Sequence, residues 1–284
     1  MIDNMNTREL RAIRSSAHQF LLTRDRSCTT QEIARHLFGA KCHEEPVSHL
    51  VVRNILGEDR RVCVGHDGRW FALDAGFLAR SFDATRFAAL DLETTGSLIG
   101  VDRIIEVGLA VYENGRIVET FESLVHCTRH LNGRIRKLTG IHPQDLVDAP
   151  TFESLAPKIV DILGTTHVFV GHDVRFDQNF LRWELQRHGY ELPELVGLCT
   201  LRLSQLLWPD LDGWRLQDLA ANFDVAHDRP HRAGEDALAT AGVLACALDD
   251  ATDLGAGIIA DLFRRPATMT TKDKGDSELA ARAG

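Results

Sequence analysis

The chain has 284 residues, of which 44% are hydrophobic and 26% are charged, and its formal net charge is −9 at pH 7. This balance excludes a wholly disordered chain, a collagen-like repeat and a disulfide-stapled miniprotein, and the length suits one large or two small domains. No apolar stretch approaches the roughly 20 residues that span a bilayer, and the first residues lack the apolar core of a secretion signal. We therefore expect a cytoplasmic protein without membrane contact.

The charge and the cysteines refine this expectation. Residues 1–80 carry a net charge of about +2 and the remainder about −11, which indicates two units with different tasks. An acidic majority argues against a protein that grips nucleic acid over its whole surface. The cysteines are scattered singly and form no CxxC pair, so free thiols in a reducing compartment are expected; they are Cys28, Cys42, Cys63, Cys127, Cys199 and Cys246.

The N-terminal segment has the pattern of three helices followed by a hairpin. Apolar residues at helical spacing predict helices over 7–23 and 46–57, and Thr29 with Glu32 forms a capping-box pattern that begins a short helix between them. Two β-rich runs, RRVCV and RWFAL, are joined by the turn GHDG. We expect residues 1–78 to form a small winged helix-turn-helix-like domain that binds duplex DNA or, alternatively, a protein partner.

The remainder of the chain reads as an α/β domain. After a linker over 79–85, apolar runs alternate with helical patterns from 86 to 252, and Asn114-Gly115 is a strong two-residue hairpin signal. Strands first in a meander and then interleaved with helices predict a mixed sheet flanked by helices. Residues 264–284 are polar and aperiodic, so we expect a disordered tail.

Carboxylates follow the apolar runs at positions where a metal ion would be held. Asp91 and Glu93 are two residues apart at the end of a predicted strand, so their side chains point to one face, where like charges at close range favour a bound cation. Mg²⁺ or Mn²⁺ suits such oxygen ligands. Asp177 follows the apolar run HVFV, and Asp236 opens an Ala-rich helix five positions after His231, whose imidazole can act as a general base.

Together these motifs resemble the three exonuclease motifs of the DEDDh family of 3′–5′ exonucleases. The resemblance rests on DLETTG, on the Phe-Asp pair after an apolar strand, on CTLRLSQLLWP and on H-x-x-x-x-D, and it covers roughly residues 85–250. The family includes the proofreading epsilon subunit of bacterial DNA polymerase III and the exonuclease domain of PolC. The resemblance implies a ribonuclease H-like fold, two divalent metal ions and release of nucleoside monophosphates from 3′ ends.

Carried over residue by residue, the resemblance assigns roles to the candidate site. Asp91, Glu93 and Asp236 would hold the metal that binds the attacking water, and Asp91 would bridge to a second metal supported by Asp177. His231 would take the proton from that water. A second histidine, His227, lies nearby in the sequence, but the family's five-residue spacing to the aspartate favours His231.

Other positions are open to two interpretations. The backbone of Thr94, Thr95 and Gly96 would contact the 3′-terminal nucleotide, or these residues form a simple strand-end turn. Phe176 would pack against the terminal sugar or base, or it is an ordinary core residue. The chain departs from the family at Asp173, where an asparagine is usual.

Three functions follow from this interpretation. Single-stranded DNA 3′ ends are the leading substrate, because the motifs are most similar to those of proofreading enzymes. Trimming of RNA 3′ ends is the alternative, since the same carboxylates hydrolyse either polymer. A non-catalytic adaptor that binds nucleic acid or a partner is the third. A basic patch, Arg134, Arg136 and Lys137, is placed to contact phosphates or forms a solvated helix face.

Overall fold

The computed structural model describes most of the chain, namely residues 7–24, 27–39, 45–57, 59, 61–73, 75–193 and 195–263. The predicted tail over 264–284 lies outside the described residues. Within the described ranges no two cysteines form a disulfide with each other, in agreement with the pattern in the sequence. None of the helices in these ranges combines the length and the hydropathy needed to cross a bilayer.

The N-terminal module has its own small core. Its elements, in the order expected, are α1 (Thr7–Arg24), α2 (Thr30–Phe38), α3 (Glu45–Leu56), β1 (Val62–Val64) and β2 (Trp70–Ala72). The capping box is present: the Glu32 N–H donates to Thr29 Oγ1 at 3.1 Å, and the Thr29 N–H donates to Glu32 Oε2 at 2.7 Å. Buried apolar side chains from the helices surround Trp70. That the module binds as a winged helix-turn-helix stays a prediction.

The segment expected to be a linker is packed. A 3-10 turn over Gly76–Ala79 buries Leu78, and Phe82 is buried in the same apolar cluster as strands of the large sheet. The Ile259 N–H donates to the Arg80 carbonyl at 3.0 Å. This segment therefore joins the N-terminal module to the α/β domain through contacts as well as through the chain.

The α/β domain follows the predicted alternation. Its elements are β3 (Arg86–Thr94), β4 (Ile104–Glu113), β5 (Arg116–Leu124), α4 (Gly133–Thr139), α5 (Pro143–Val147), α6 (Phe152–Gly164), β6 (Val168–Gly171), α7 (Val174–Arg187), β7 (Val196–Cys199), α8 (Thr200–Leu207), α9 (Leu216–Asn222) and α10 (Ala233–Asp253), followed by a 3-10 turn over Ile259–Phe263. The sequence did not predict β7, whose four residues show no alternation between apolar and polar side chains.

Within the described residues the α/β domain holds one mixed five-stranded sheet in the order β5-β4-β3-β6-β7. Strands β5, β4 and β3 are antiparallel, and β6 and β7 run parallel to β3. The Asn114-Gly115 turn joins β4 to β5 with both residues at positive φ, so the predicted hairpin is confirmed. Helix α10 covers one face of the sheet, and α6 and α7 cover the other. The predicted mixed α/β architecture is confirmed.

Candidate active site

Strand β3 carries the first two acidic residues to the face of the sheet covered by α10. Phe87 and Ala89 of β3 lie in the apolar cluster formed with α10, whereas the alternate residues, among them Leu90, lie in the cluster on the opposite face. Side chains alternate along a strand, so Asp91 and Glu93 continue the α10 face. They occupy the carboxyl end of the central strand, as the sequence predicted.

A glycine on the neighbouring strand lets α10 approach this end of the sheet. Gly108 of β4 lies directly opposite Asp91. A Cβ at Gly108 would lie 1.9 Å from the Ala233 carbonyl oxygen and 2.5 Å from the Gly234 nitrogen, both in the first turn of α10. The absence of a side chain therefore fixes how closely α10, with Asp236 in its first turn, lies against β3 and β4.

Two histidines in the loop before α10 contact Asp236, one through its backbone and one through its ring. The His231 N–H donates to Asp236 Oδ2 at 3.0 Å, and His227 Nε2 is in hydrogen-bond contact with Asp236 Oδ1. His231 has a positive φ of 66° and an exposed side chain. One ligand atom from each of Glu93, His231 and Asp236 lies within 4.8 Å of the other two. The second histidine that the sequence offered thus contacts the aspartate directly.

Asp177 reaches the same place from the other side of the sheet. It lies in the first turn of α7, directly after β6, and only 5% of its surface is exposed. The carboxylate accepts a hydrogen bond from the backbone of Leu92 on β3. The four carboxylates, which come from positions 91, 93, 177 and 236, therefore meet at one end of the sheet.

The electrostatics of the site reflect this convergence. Burial, and then the charges of Asp236 and Glu106, raise the pKa of Asp91 well above its ordinary value. Burial and the same kind of like-charge repulsion raise the pKa of Glu93 to about 9. The pKa of Asp177 is raised by burial and by Asp91. Burial and neighbouring negative charges thus both disfavour ionisation of Asp91, Glu93 and Asp177, and a bound cation would offset both effects.

The donor set fits a divalent metal ion. Carboxylate oxygens are the ligands that Mg²⁺ and Mn²⁺ prefer, and Glu93 and Asp236 lie close enough together to share one ion, with the His231 imidazole beside them. Asp91 lies beside these residues, because its charge is among those that raise the pKa of Glu93. These residues can therefore hold a metal ion.

A fifth carboxylate at this site was not identified from the sequence. Glu106 of β4 lies opposite Glu93 and is fully buried. It accepts hydrogen bonds from Arg232 Nε at 3.0 Å and from the Ala233 N–H at 3.0 Å. This ion pair anchors the residue after His231 to the sheet. In the sequence Glu106 is one charge in an apolar strand, and only its spacing from Arg232 in three dimensions reveals the pair.

The DLETTG turn is braced from within. Thr94 Oγ1 donates to the Gly96 carbonyl at 2.7 Å, and Thr95 Oγ1 donates to Asp102 Oδ1 at 3.0 Å. Asp102 Oδ2 also accepts the Leu98 N–H at 2.9 Å, and a Cβ at Gly96 would lie 2.5 Å from this carboxylate. The threonine hydroxyls are thus hydrogen-bonded within the turn, and contact of residues 94–96 with a nucleotide stays a prediction.

The other predicted positions lie around the same end of the sheet. Phe176 is half-buried and packs on Phe180, with ring centroids 5.4 Å apart. Asp173 is exposed at a positive φ of 79°, immediately before α7, and its charge adds to the rise in the pKa of Asp177. The residue that departs from the family pattern therefore brings a further negative charge toward the carboxylates.

A cavity of about 470 Å³ opens beside the carboxylates. Asp91, His231 and Asp236 line its floor together with His227. Its walls come from the turn between β6 and α7, from the start of α8, from the start of α9 with the residues before it, and from the loop before α10; they are formed by His172, Leu201, Trp214, Arg215, Leu216, Gln217 and Pro230. The cavity therefore opens onto the acidic residues.

Comparisons with known proteins agree with this geometry. Residues 88–244 match the family described as Exonuclease (RNase_T). The chain is 36% identical over 156 residues to the 3′–5′ exonuclease DinG of Bacillus subtilis, which covers 55% of this chain and 17% of DinG. It is 32% identical over 164 residues to the DNA polymerase III epsilon subunit of Aquifex aeolicus, which covers 58% of this chain and 81% of that subunit.

A solved structure shows the same fold. Exonuclease I of E. coli in complex with a dT13 oligonucleotide superposes with a TM-score of 0.53 at 20% identity, over 60% of this chain and 42% of that one. The chain spans 17% of DinG and 12% of a PolC-type polymerase of Caldanaerobacter subterraneus. The family match nevertheless covers more than half of the chain, and the epsilon subunit is matched over most of its length. The chain belongs to the exonuclease family.

Proposed function

We propose that this chain is a 3′–5′ exonuclease that hydrolyses the terminal phosphodiester bond of single-stranded DNA and releases nucleoside 5′-monophosphates. The observation that carries the proposal is the convergence of Asp91, Glu93, Asp177 and Asp236 at one end of the sheet, with His231 beside them and a cavity in front. Carboxylates that raise one another's pKa form a costly arrangement in a folded protein, and such groups cluster where they serve a reaction.

The chain's own residues supply binding and proton transfer. The turn at 94–96 would position the terminal nucleotide through its backbone, and hydrogen bonds of the Thr94 and Thr95 hydroxyls within the turn support this by holding its shape. A ring nitrogen of His231, exposed toward the cavity, accepts the proton of the attacking water. The water oxygen forms the new bond to phosphorus, the bond from phosphorus to the 3′ oxygen of the preceding nucleotide breaks, and that oxygen takes a proton from solvent.

Glu93, Asp236 and Asp91 would hold one divalent cation, and Asp91 with Asp177 a second, in keeping with the two ions implied by the family resemblance. When bound, Mg²⁺ or Mn²⁺ supplies positive charge that stabilises the entering and leaving oxygens of the phosphoryl group. The raised pKa values of Asp91, Glu93 and Asp177 are the property that such charge relieves.

The proteins that this chain resembles favour single-stranded DNA over RNA as its substrate. The exonuclease I structure holds a dT13 oligonucleotide, and the epsilon relative is a DNA polymerase subunit. Since only part of the length of DinG and of the PolC-type polymerase is matched, the preference for DNA depends mainly on the epsilon subunit, which is matched over 81% of its length.

The test compares labelled DNA and RNA oligonucleotides of one sequence, incubated with Mg²⁺ or Mn²⁺. We expect shortening of DNA from the 3′ end, slower shortening of RNA, and no shortening by Asp91→Asn. The matched control is Asp161→Asn, an exposed aspartate on α6 away from the site, which should retain wild-type activity. If the RNA oligonucleotide is shortened faster than the DNA oligonucleotide, the proposed substrate is RNA and not DNA. Activity that survives Asp91→Asn would refute the mechanism. A wild-type protein that binds the oligonucleotides but hydrolyses neither would support the adaptor function instead.

The two histidines at Asp236 separate the general base from a supporting residue. We expect His231→Ala to lower turnover by roughly 10²–10⁴-fold, the range for loss of a general base, while Mn²⁺ affinity measured by calorimetry changes little. His227→Ala should lower turnover less, because His227 contacts the carboxylate of Asp236 rather than facing the water. Equal losses of turnover and of metal affinity in His231→Ala would contradict the general-base role.

A further inference from the structure

The turn of the N-terminal hairpin, residues 65–69, is fastened to the edge of the catalytic sheet. The Cys199 N–H donates to His66 Nδ1 at 2.9 Å, and the Gly197 N–H donates to the Asp67 carboxylate. A Cβ at Gly197 would lie 2.7 Å from the Cβ of Asp67, so the turn and β7 are in close contact. Strand β7 is the edge strand of the described sheet, and these acceptors satisfy backbone donors that have no neighbouring strand.

An apolar contact holds the rest of the hairpin in place. Phe71 of β2 is 1% exposed and belongs to the apolar cluster of the large domain, which includes Leu198 of β7. Its ring meets that of Phe263 edge to face, with centroids 5.0 Å apart. The hairpin could leave the sheet only by exposing Phe71, so it is a fixed part of the surface of the α/β domain.

The fastened turn lies at the rim of the active-site cavity. Cys199 ends β7, and the next residue, Thr200, is joined by a 3.0 Å hydrogen bond to His172, which lines the cavity. Leu201 also lines it. The carboxyl ends of parallel strands meet at one edge of a sheet, so the turn on β7, the carboxylates at the end of β3 and the carboxylate after β6 share that edge.

Two arginines flank the turn. Arg175, in the first turn of α7, extends over Gly68: a Cβ there would lie 2.4 Å from Arg175 Nη2. Arg202, in the first turn of α8, is near enough to His66 that its charge adds to burial in lowering the pKa of His66. Both side chains are exposed, and neither forms an ion pair with any residue in the described ranges. We refer to Arg175, Arg202 and residues 65–69 as the hairpin seam.

We infer that the hairpin seam binds the phosphates of the substrate strand on the 5′ side of the nucleotide that is removed; this rests on the proposed function. An acidic domain with a net charge near −11 needs positively charged side chains along the path of a polyanion. Guanidinium groups that form no ion pair within the protein are available to phosphate oxygens. The seam adjoins the wall of the cavity formed by the start of α8. The N-terminal module thus extends the substrate-binding surface.

The basic patch on α4 offers the competing path. Arg134, Arg136 and Lys137 are exposed, but among the described residues that line the cavity none belongs to α4. A strand that leaves the cavity over the start of α8 meets the hairpin seam first. The two paths lie on different elements and can be separated by substitution.

The experiment compares a polymer with a substrate too short to reach the seam. The polymer is a single-stranded thymidine oligonucleotide, and the short substrate is the p-nitrophenyl ester of thymidine 5′-monophosphate. We expect the double variant Arg175→Ala/Arg202→Ala to raise KM for the oligonucleotide about tenfold or more, while kcat/KM for the ester stays at the wild-type value. Loss of two phosphate contacts should also reduce the slope of log K against log salt by about 1.4.

Two controls make the result specific. Arg116→Ala removes an exposed charge at the opposite end of the sheet and should have no effect. Arg134→Ala/Arg136→Ala makes the same charge change on the α4 patch. If this variant takes the loss, or if the seam variant binds and cleaves the oligonucleotide normally, the inference is overturned. An equal loss on both substrates would also overturn it, since the seam would then act on the chemistry.

The outcome is distinguishable from failure of the proposed function. Oligonucleotide binding, measured by fluorescence anisotropy with Asp91→Asn as the background, reports on the seam without hydrolysis. If the wild type hydrolyses neither substrate, the proposed function fails while the anisotropy still decides the seam. The charge-conserving variant Arg175→Lys/Arg202→Lys should restore most of the affinity, which a loss of folding would not do.

Discussion

The close approach of α10 to β4 at Gly108 should set the catalytic geometry. In Gly108→Ala the new methyl group would lie 1.9 Å from the Ala233 carbonyl oxygen and 2.5 Å from the Gly234 nitrogen. Both are backbone atoms, so no side-chain rotation relieves the clash. The first turn of α10 must therefore move away from the sheet, and with it Asp236 and the loop that carries His231.

The size of the movement gives the size of the effect. Real Cβ contacts are essentially never under 3.0 Å, so the first turn of α10 must shift by more than 1 Å. A misplacement of about 1 Å costs on the order of 100-fold in rate, and overpacking a core costs about 1–3 kcal/mol of stability. We expect both effects in Gly108→Ala. The loss of turnover should be larger than the fraction of protein that unfolds at the assay temperature would explain.

The assay pairs initial rates of oligonucleotide shortening with urea unfolding. Gly164→Ala is the matched control, because a Cβ at Gly164, the last residue of α6, would meet nothing within 4 Å. It should leave the rate unchanged and alter the free energy of unfolding by no more than a gain of about 0.4–1 kcal/mol. If Gly108→Ala retains wild-type turnover, then α10 does not position the site through this contact, and the reasoning is refuted.

Three further predictions concern charged groups. Asp91→Asn should abolish hydrolysis yet raise the free energy of unfolding without divalent ions by about 0.5–2 kcal/mol, since it removes a buried ionisable group and its repulsion with Asp236 and Glu106; lower stability in urea would contradict this. Burial lowers the pKa of His66 to about 4, so as pH falls from 6.5 to 4 the unfolded chain binds a proton that the folded chain does not, and about 3 kcal/mol of stability is lost. His66→Asn should lose less stability over this pH range, and pH profiles of unfolding that run parallel in the variant and the wild type would refute the prediction. Arg232→Ala should lower the free energy of unfolding by about 3 kcal/mol, because it leaves the buried Glu106 without its ion-pair partner. Arg229→Ala, at the exposed pair with Glu235, should lower it by less than about 1 kcal/mol, and equal unfolding midpoints for the two variants would contradict this prediction.

The sequence by itself determined the local features of this protein. The capping box at Thr29, the Asn114-Gly115 hairpin and the apolar run before Asp91 each depend on residues a few positions apart, and backbone geometry converts such short spacings into structure directly. The order of acidic motifs along the chain was enough to identify the exonuclease family. Alternation along one strand placed Asp91 and Glu93 on one face.

Only the tertiary structure decided which distant residues meet. Glu106 and Arg232 are 126 positions apart, and nothing in the sequence indicates their ion pair, because a buried charge in an apolar strand looks like any other until its partner is known. The attachment of the hairpin turn to β7 depends on two backbone donors that only an edge strand leaves free. Gly108 reads as an ordinary strand residue, and its meaning comes from the helix that packing brings against it. Contacts of this kind are set by how whole elements stack, and no local spacing encodes them.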